Sequence, residues 1–193
     1  EEVLVDYIKY YNEEQEYSKE LLNYQGKIIM AKMINNICLF NPRNKIILEK
    51  IISCFQEGRK TLVLSDRREH LKYLKEQIEE NKDYNITVGY YLGGMKQEAL
   101  KETEGKNVML GTFAMASEGF DCKELDTIIL ASPKSNIEQA VGRILRKKKE
   151  DRILTPLIID IVDNFSVFER QGKKRKKFYE KNKYIINKVT IGA

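Results

Sequence analysis

Apolar positions recur along this chain in two rhythms, and the change from one to the other divides it. Over residues 1–57 the spacing is helical. Residues 7–22 are charged and tyrosine-rich with few breakers, and read as helix. Ile28, Ile29, Met33, Ile34 and Ile37 follow at mostly three- and four-residue spacing, a stripe on one face of a second helix. Asn41-Pro42 ends it, because proline disfavours helical backbone in the residue before it. Ile47, Ile51, Ile52 and Phe55 make the next stripe, stopped by Gly58. These stripes are packing surfaces, and no chemistry is legible among them.

From residue 60 the rhythm changes. Short apolar runs at 60–65, 85–90, 108–112, 127–131 and within 153–162 predict strands. Between them lie helical segments, at 67–81 with Leu71, Leu74 and Ile78 on one side, at 95–103, and from Ser135 onward. The strand runs are continuously apolar, as expected when both faces of a parallel strand are covered. Alternating strands and helices predict an α/β fold. Ser135 and Glu138 fit a capping box, which would start the helix at Ser135. A last helix over 165–184 carries Phe165, Phe168 and Tyr179 among many lysines.

Composition narrows the class. The 193 residues suffice for one α/β domain with a real core and are too few for two. The opening Glu-Glu-Val lacks Met and reads as a cut fragment. No apolar run approaches the ~20 residues of a membrane span. Cys38, Cys54 and Cys122 show no Cys-x-x-Cys spacing, so reduced thiols in an intracellular compartment (cytoplasm or nucleus) are expected rather than a zinc site or disulfides. The formal charge of +5 is mild, but Arg170 and residues 173–177 concentrate cations near the C-terminus, a solvated helix face or a phosphate contact. His70 is the only histidine and is read as structural.

The candidate chemistry lies between Gly111 and Arg146. Arg143 and Arg146 are three apart and share a helix face. Two forked cations on one face suit a polyphosphate. Yet the sequence has no Gly-x-x-x-x-Gly-Lys-Ser/Thr phosphate loop, no acid box for magnesium, and no Gly-x-Gly-x-x-Gly after the first predicted strand. The domain alone shows no evident means to bind a triphosphate and magnesium tightly.

Gly119-Phe120-Asp121 after Thr112, followed by Gln139-x-x-Gly142-Arg143-x-x-Arg146, resembles motifs V and VI of superfamily 2 helicases and translocases. The resemblance covers roughly residues 45 to 165. DEAD-box proteins have His-Arg where this chain has Gln139-Ala140, so the resemblance is nearer to repair, restriction-enzyme or large-DNA-virus transcription helicases. It implies the second RecA-like domain: a three-layer sandwich with a mainly parallel sheet of five or six strands, plus an N-terminal helical extension. The implied divisions are a helical extension or linker over 1–57, the core over 58–165, and a basic helix over 166–193.

The resemblance also implies roles. Arg143 and Arg146 are the catalytic cations at the γ-phosphate. Glu118, Gly119, Asp121 and Gln139 belong to the nucleotide side. Arg67, Gly94, Lys96 and Thr112 contact nucleic acid, DNA in preference to RNA, through backbone phosphates. ATP and Mg2+ are held mainly by the N-terminal RecA-like domain of the same protein, and no metal ligands are assigned to this chain. Two rivals stay open: a non-catalytic nucleic-acid-binding domain on a degenerate helicase fold, and an unrelated doubly wound domain with a pocket at its strand ends.

Overall fold

The computed structural model describes residues 2–119, 122–144 and 153–192. The elements run β1 (Leu4–Tyr10), α1 (Gln15–Ser18), α2 (Met30–Leu39), α3 (Asn41–Gln56), β2 (Thr61–Leu64) and α4 (Arg68–Glu80). They continue β3 (Val88–Tyr91), α5 (Gln97–Glu104), β4 (Val108–Gly111), α6 (Phe113–Gly119) and β5 (Thr127–Leu130). The last are α7 (Glu138–Ile144), β6 (Leu157–Asp163), α8 (Ser166–Lys181) and β7 (Ile185–Ile191). The strands form one sheet in the order β3-β4-β2-β5-β6-β1-β7, every pairing parallel.

The alternation of side chains along each strand splits the core into two layers. On one face, Val63, Ile129, Ile159, Ile161 and Ile8 pack with Met33, Ile37, Ile47, Ile51, Leu71 and Leu74 of α2, α3 and α4. On the other, Leu62, Leu64, Ile128, Leu130, Ile158 and Val5 pack with Leu100, Phe113, Val141 and Tyr179 of α5 to α8 and with Ile137 just before α7. The result is the expected three-layer sandwich, with seven strands rather than five or six.

The two extra strands lie in segments read otherwise. Residues 7–22 were expected to be helical, but Leu4–Tyr10 is a strand between β6 and β7, with Leu4 opposite both Leu157 and Ile185. Both of its faces are covered, so its apolar positions 4, 5, 7, 8 and 10 do not alternate, and such a run fits either template. After α8, residues 185–191 form the edge strand β7, paired only with β1. The stop before Pro42 holds: Phe40 is extended, and proline sits in the first turn of α3.

A buried polar chain ties the end of β2 to the helices. Asn44 donates from Nδ2 to the Cys38 carbonyl (2.9 Å), which leaves its Oδ1 to accept from His70 Nε2 (2.7 Å). His70 Nδ1 therefore accepts from the Ser65 hydroxyl (2.9 Å), and Ser65 Oγ accepts the Arg67 N–H (3.2 Å). Burial, assisted by the Arg43 charge, lowers the His70 pKa to about 3. The expectation of a structural histidine agrees with this neutral, fully bonded ring.

Two predictions follow from this packing. His70 is depressed in the folded state, so its contribution is complete above its ordinary pKa near 6.5 and is lost as pH falls from there towards 3. The loss is up to about 1.4 kcal/mol per pH unit. Urea unfolding of His70→Gln between pH 6.5 and 4 should show a shallower fall than the parent; identical slopes would contradict it. Gly172 sits inside α8, where alanine would normally gain about 1 kcal/mol. Here a Cβ would overlap Val162 Cγ1 and lie 3.3 Å from the Tyr7 hydroxyl. Overpacking wins, so Gly172→Ala should lose about 1–2 kcal/mol net, read as a lowered melting temperature; an unchanged or raised one would refute the close approach.

Candidate functional site

A parallel sheet brings the C-terminal ends of its strands to one side. With β3, β4, β2 and β5 adjacent, the segments that follow them form one continuous rim. Gly94 follows β3, Thr112 follows β4, Arg67 follows β2, and residues 131–134 follow β5. The sequence-predicted strand-contact residues thus come from neighbouring segments.

Gly94 has φ +87°, a left-handed conformation that favours glycine. Lys96 is exposed at the entry to α5. The half-buried Thr112 accepts the Met115 N–H at 3.3 Å and so opens α6. Arg67 differs from its neighbours. Its Nε donates to Asn35 Oδ1 at 2.6 Å and its Nη2 to the Ala31 carbonyl at 3.3 Å, so its guanidinium is engaged by α2. Sequence reasoning passed over Arg68, which is exposed and reaches across the rim to the Gly93 carbonyl at 2.9 Å.

The two motif helices sit side by side. Phe113 and Ala116 of α6 share a buried cluster with Ile137, just before α7, and with Ala140 and Val141 of α7. Burial of 137, 140 and 141 leaves Glu138, Gln139 and Gly142 on the solvent side, as the 3.6-residue period requires. A Cβ at Gly142 would meet nothing within 4 Å. Glu118 is exposed on α6, and Gly119 is the last described residue of that helix. Arg143 lies within α7, one turn after Gln139. Asp121 and Arg146 lie outside the described residues. The capping box is not formed as expected: α7 begins at Glu138, and the Glu138 N–H bonds to Asn136 Oδ1 at 3.1 Å, an acceptor two residues back that competed with Ser135.

Residues 131–134, which lead from β5 towards α7, are held from both layers. From α3, Arg43 Nη1 donates to the Ala131 carbonyl at 2.6 Å, while its Nε and Nη2 grip Asp163 of β6 at 2.7 and 2.9 Å. From α8, Arg175 Nη1 donates to the Lys134 carbonyl at 2.5 Å, while its Nε and Nη2 grip Asp160 of β6 at 3.0 and 2.9 Å. Tyr17 donates to Asp163 and Tyr179 to Asp160, each at 2.6 Å. All six side chains are buried. Burial and the neighbouring aspartate push both tyrosine hydroxyls up, so they stay protonated donors. Burial alone would lower the arginines, but aspartate charge and hydrogen bonds leave both raised. Ser132 Oγ accepts the Asp66 N–H at 2.9 Å, and Lys134 Nζ lies 3.4 Å from Asp66 Oδ2 and over the Phe113 ring.

Elsewhere, Arg170, Lys173, Lys174, Lys177 and Lys181 are exposed along α8, away from its buried Gly172, Arg175 and Tyr179. A cavity of about 400 Å³ opens between α2 and α4, with Asn35, Leu39, Arg67, Arg68 and Tyr73 in its wall. Among the described residues, no group of three or more His, Cys, Asp or Glu could hold a metal ion, and no helix is long and apolar enough to cross a membrane.

Residues 43–148 match the helicase conserved C-terminal domain. The chain is 40% identical over 162 residues to "Putative ATP-dependent RNA helicase L396" of Acanthamoeba polyphaga mimivirus, which covers 83% of this chain and 31% of that protein. It is 32% identical over 115 residues to "Putative ATP-dependent RNA helicase QP509L" of African swine fever virus, covering 58% of this chain and 22% of that one. The chain therefore spans less than a third of the length of these viral relatives. The crystal structure of T4 UvsW superposes with a TM-score of 0.72 at 21% identity, over 99% of this chain and 41% of that one, and has the same RecA-like fold. With more than half of its residues inside the family match, the chain belongs to the helicase conserved C-terminal domain family.

Proposed function

We propose that the chain is the second motor domain of an ATP-dependent helicase or translocase. ATP and Mg2+ would be held mainly by an N-terminal RecA-like domain of the same protein. Closure of the two domains would bring Arg143 and Arg146 to the γ-phosphate, where phosphoryl transfer needs positioning and charge stabilisation more than covalent chemistry. Gln139, Glu118, Gly119 and Asp121 would line the nucleotide side of that cleft. The observation that carries this reading is the pairing of α6 with α7, which leaves Gln139 and Gly142 of α7 and Glu118 of α6 open to solvent. A surface that must close over a ligand carried elsewhere has to be open in the isolated domain.

The rim would grip one strand. Gly94, Lys96 and Thr112 are suited to phosphate and sugar, contacts that carry little sequence information. Arg67 would contribute only if it exchanged its bonds to α2 for a phosphate, whereas Arg68 needs no such exchange beyond the Gly93 carbonyl. DNA is the proposed strand from the motif resemblance, although the two viral relatives carry RNA in their names. Repeated closure would then step the rim along the backbone.

Two experiments test this on a protein that includes the first motor domain. Arg146→Ala should keep nucleic-acid binding and lose roughly 10³- to 10⁵-fold in ATP turnover; near-normal turnover would remove the finger role, and a parent protein without ATPase would favour the binding-module reading. Lys96→Ala should weaken binding to single-stranded DNA and lower the salt slope of log K by about one. An unchanged slope would take Lys96 off the strand path, and tighter binding to matched RNA would reverse the DNA assignment.

A further inference from the structure

Strand β6 carries two aspartates where a parallel sheet normally carries aliphatic side chains. All seven of its residues are buried. Asp160 and Asp163 are three apart, so they point to opposite faces. Each is matched by one arginine and one tyrosine from the helical layer on its own face. Such ion clusters add little net stability, because desolvation offsets most of the attraction, and apolar residues of similar volume often do as well. A stability argument does not explain why there are two.

Their shared feature is the hydrogen bond left over. Once each aspartate is gripped through Nε and Nη2, each arginine has Nη1 remaining, and both aim it at the backbone of the same short segment. Arg43 takes the Ala131 carbonyl and Arg175 the Lys134 carbonyl. The two carbonyls bracket Ser132-Pro133, one held from each side of the sheet. The segment leads into α7, which begins at Glu138, so the direction in which that helix leaves the sheet depends on what anchors the segment.

We infer that Arg43–Asp163–Tyr17 and Arg175–Asp160–Tyr179 are positioning clamps that aim α7. These residues touch no substrate. They hold the segment from which the motif helix departs, against both helical layers at once. The inference rests on the reading that α7 presents Arg143 to a phosphate, since a finger is productive only within a narrow geometry and a displacement of about 1 Å can cost about 100-fold in rate.

The test separates aim from stability. The triple variant Arg175→Met/Asp160→Leu/Tyr179→Phe replaces one clamp with apolar side chains of similar size, and Arg43→Met/Asp163→Leu/Tyr17→Phe replaces the other. Both are made in the protein that includes the first motor domain. Each should stay folded, with a melting temperature within about 5 °C of the parent. Amide exchange over residues 135–142 should rise about tenfold or more while α4 keeps its protection. ATP turnover should fall about 10- to 100-fold with KM nearly unchanged, as expected when only transition-state contacts are lost. Unchanged exchange over 135–142 in a folded variant overturns the inference. So does failure of both triples to fold, which would make the clusters structural. If exchange rises and turnover does not fall, the clamps stand and the finger reading of α7 fails.

Discussion

Two negative charges in the middle of a buried sheet have to be neutralised, and the architecture is arranged around doing so. Asp160 and Asp163 lie on β6, between β5 and β1, with no solvent to shield them. Each requires a cation with matching geometry, and a bidentate guanidinium supplies it. That requirement draws α3 onto one face and α8 onto the other, 120 and 15 residues away in the chain. It ties the front section and the C-terminal helix to the segment that leads into α7.

The same constraint links packing to function. A parallel sheet places every strand exit at one end, so the segments after β3, β4, β2 and β5 form a rim without any of them being long. The rim is cross-tied: Arg68 to Gly93, Asp66 to Ser132, Lys134 to Asp66. Candidate strand contacts and the segment leading to α7 are therefore parts of one bonded surface. A change at the loops of the rim has a short covalent and hydrogen-bonded path to α7.

Much of this was legible in the sequence, for identifiable reasons. Strands β2, β4 and β5 are continuous apolar runs because both faces are covered, β3 and β6 are apolar enough to read as strands despite Gly89 and the two aspartates, and the helices between them keep a 3.6-residue period. Gly94, Lys96 and Thr112 were singled out by motif resemblance, and each lies in a segment that follows a predicted strand. Strand β1 was missed for the same reason that it is stable, since burial on both sides erases the alternation that marks a strand. The commitment of Arg67 to Asn35 was invisible, because its partner is 32 residues earlier on a helix that carried no chemical signal. The clamps were hidden in the same way. An aspartate within Leu157–Asp163 reads equally as an exposed strand end, and no local pattern pairs it with Arg43 or Arg175. The roles of Arg143, Arg146 and Asp121 come from motif resemblance, and belong to the proposal.

The most direct measurement is a structure of the protein with its first motor domain, bound to ADP and aluminium fluoride as a mimic of the phosphoryl group in transfer. The account predicts the guanidinium groups of Arg143 and Arg146 within hydrogen-bonding distance of the fluoride, with α7 still leaving a segment clamped at Ala131 and Lys134. A closed complex in which the fluoride is met by no residue of this chain, or in which α7 faces away from the nucleotide, would contradict it.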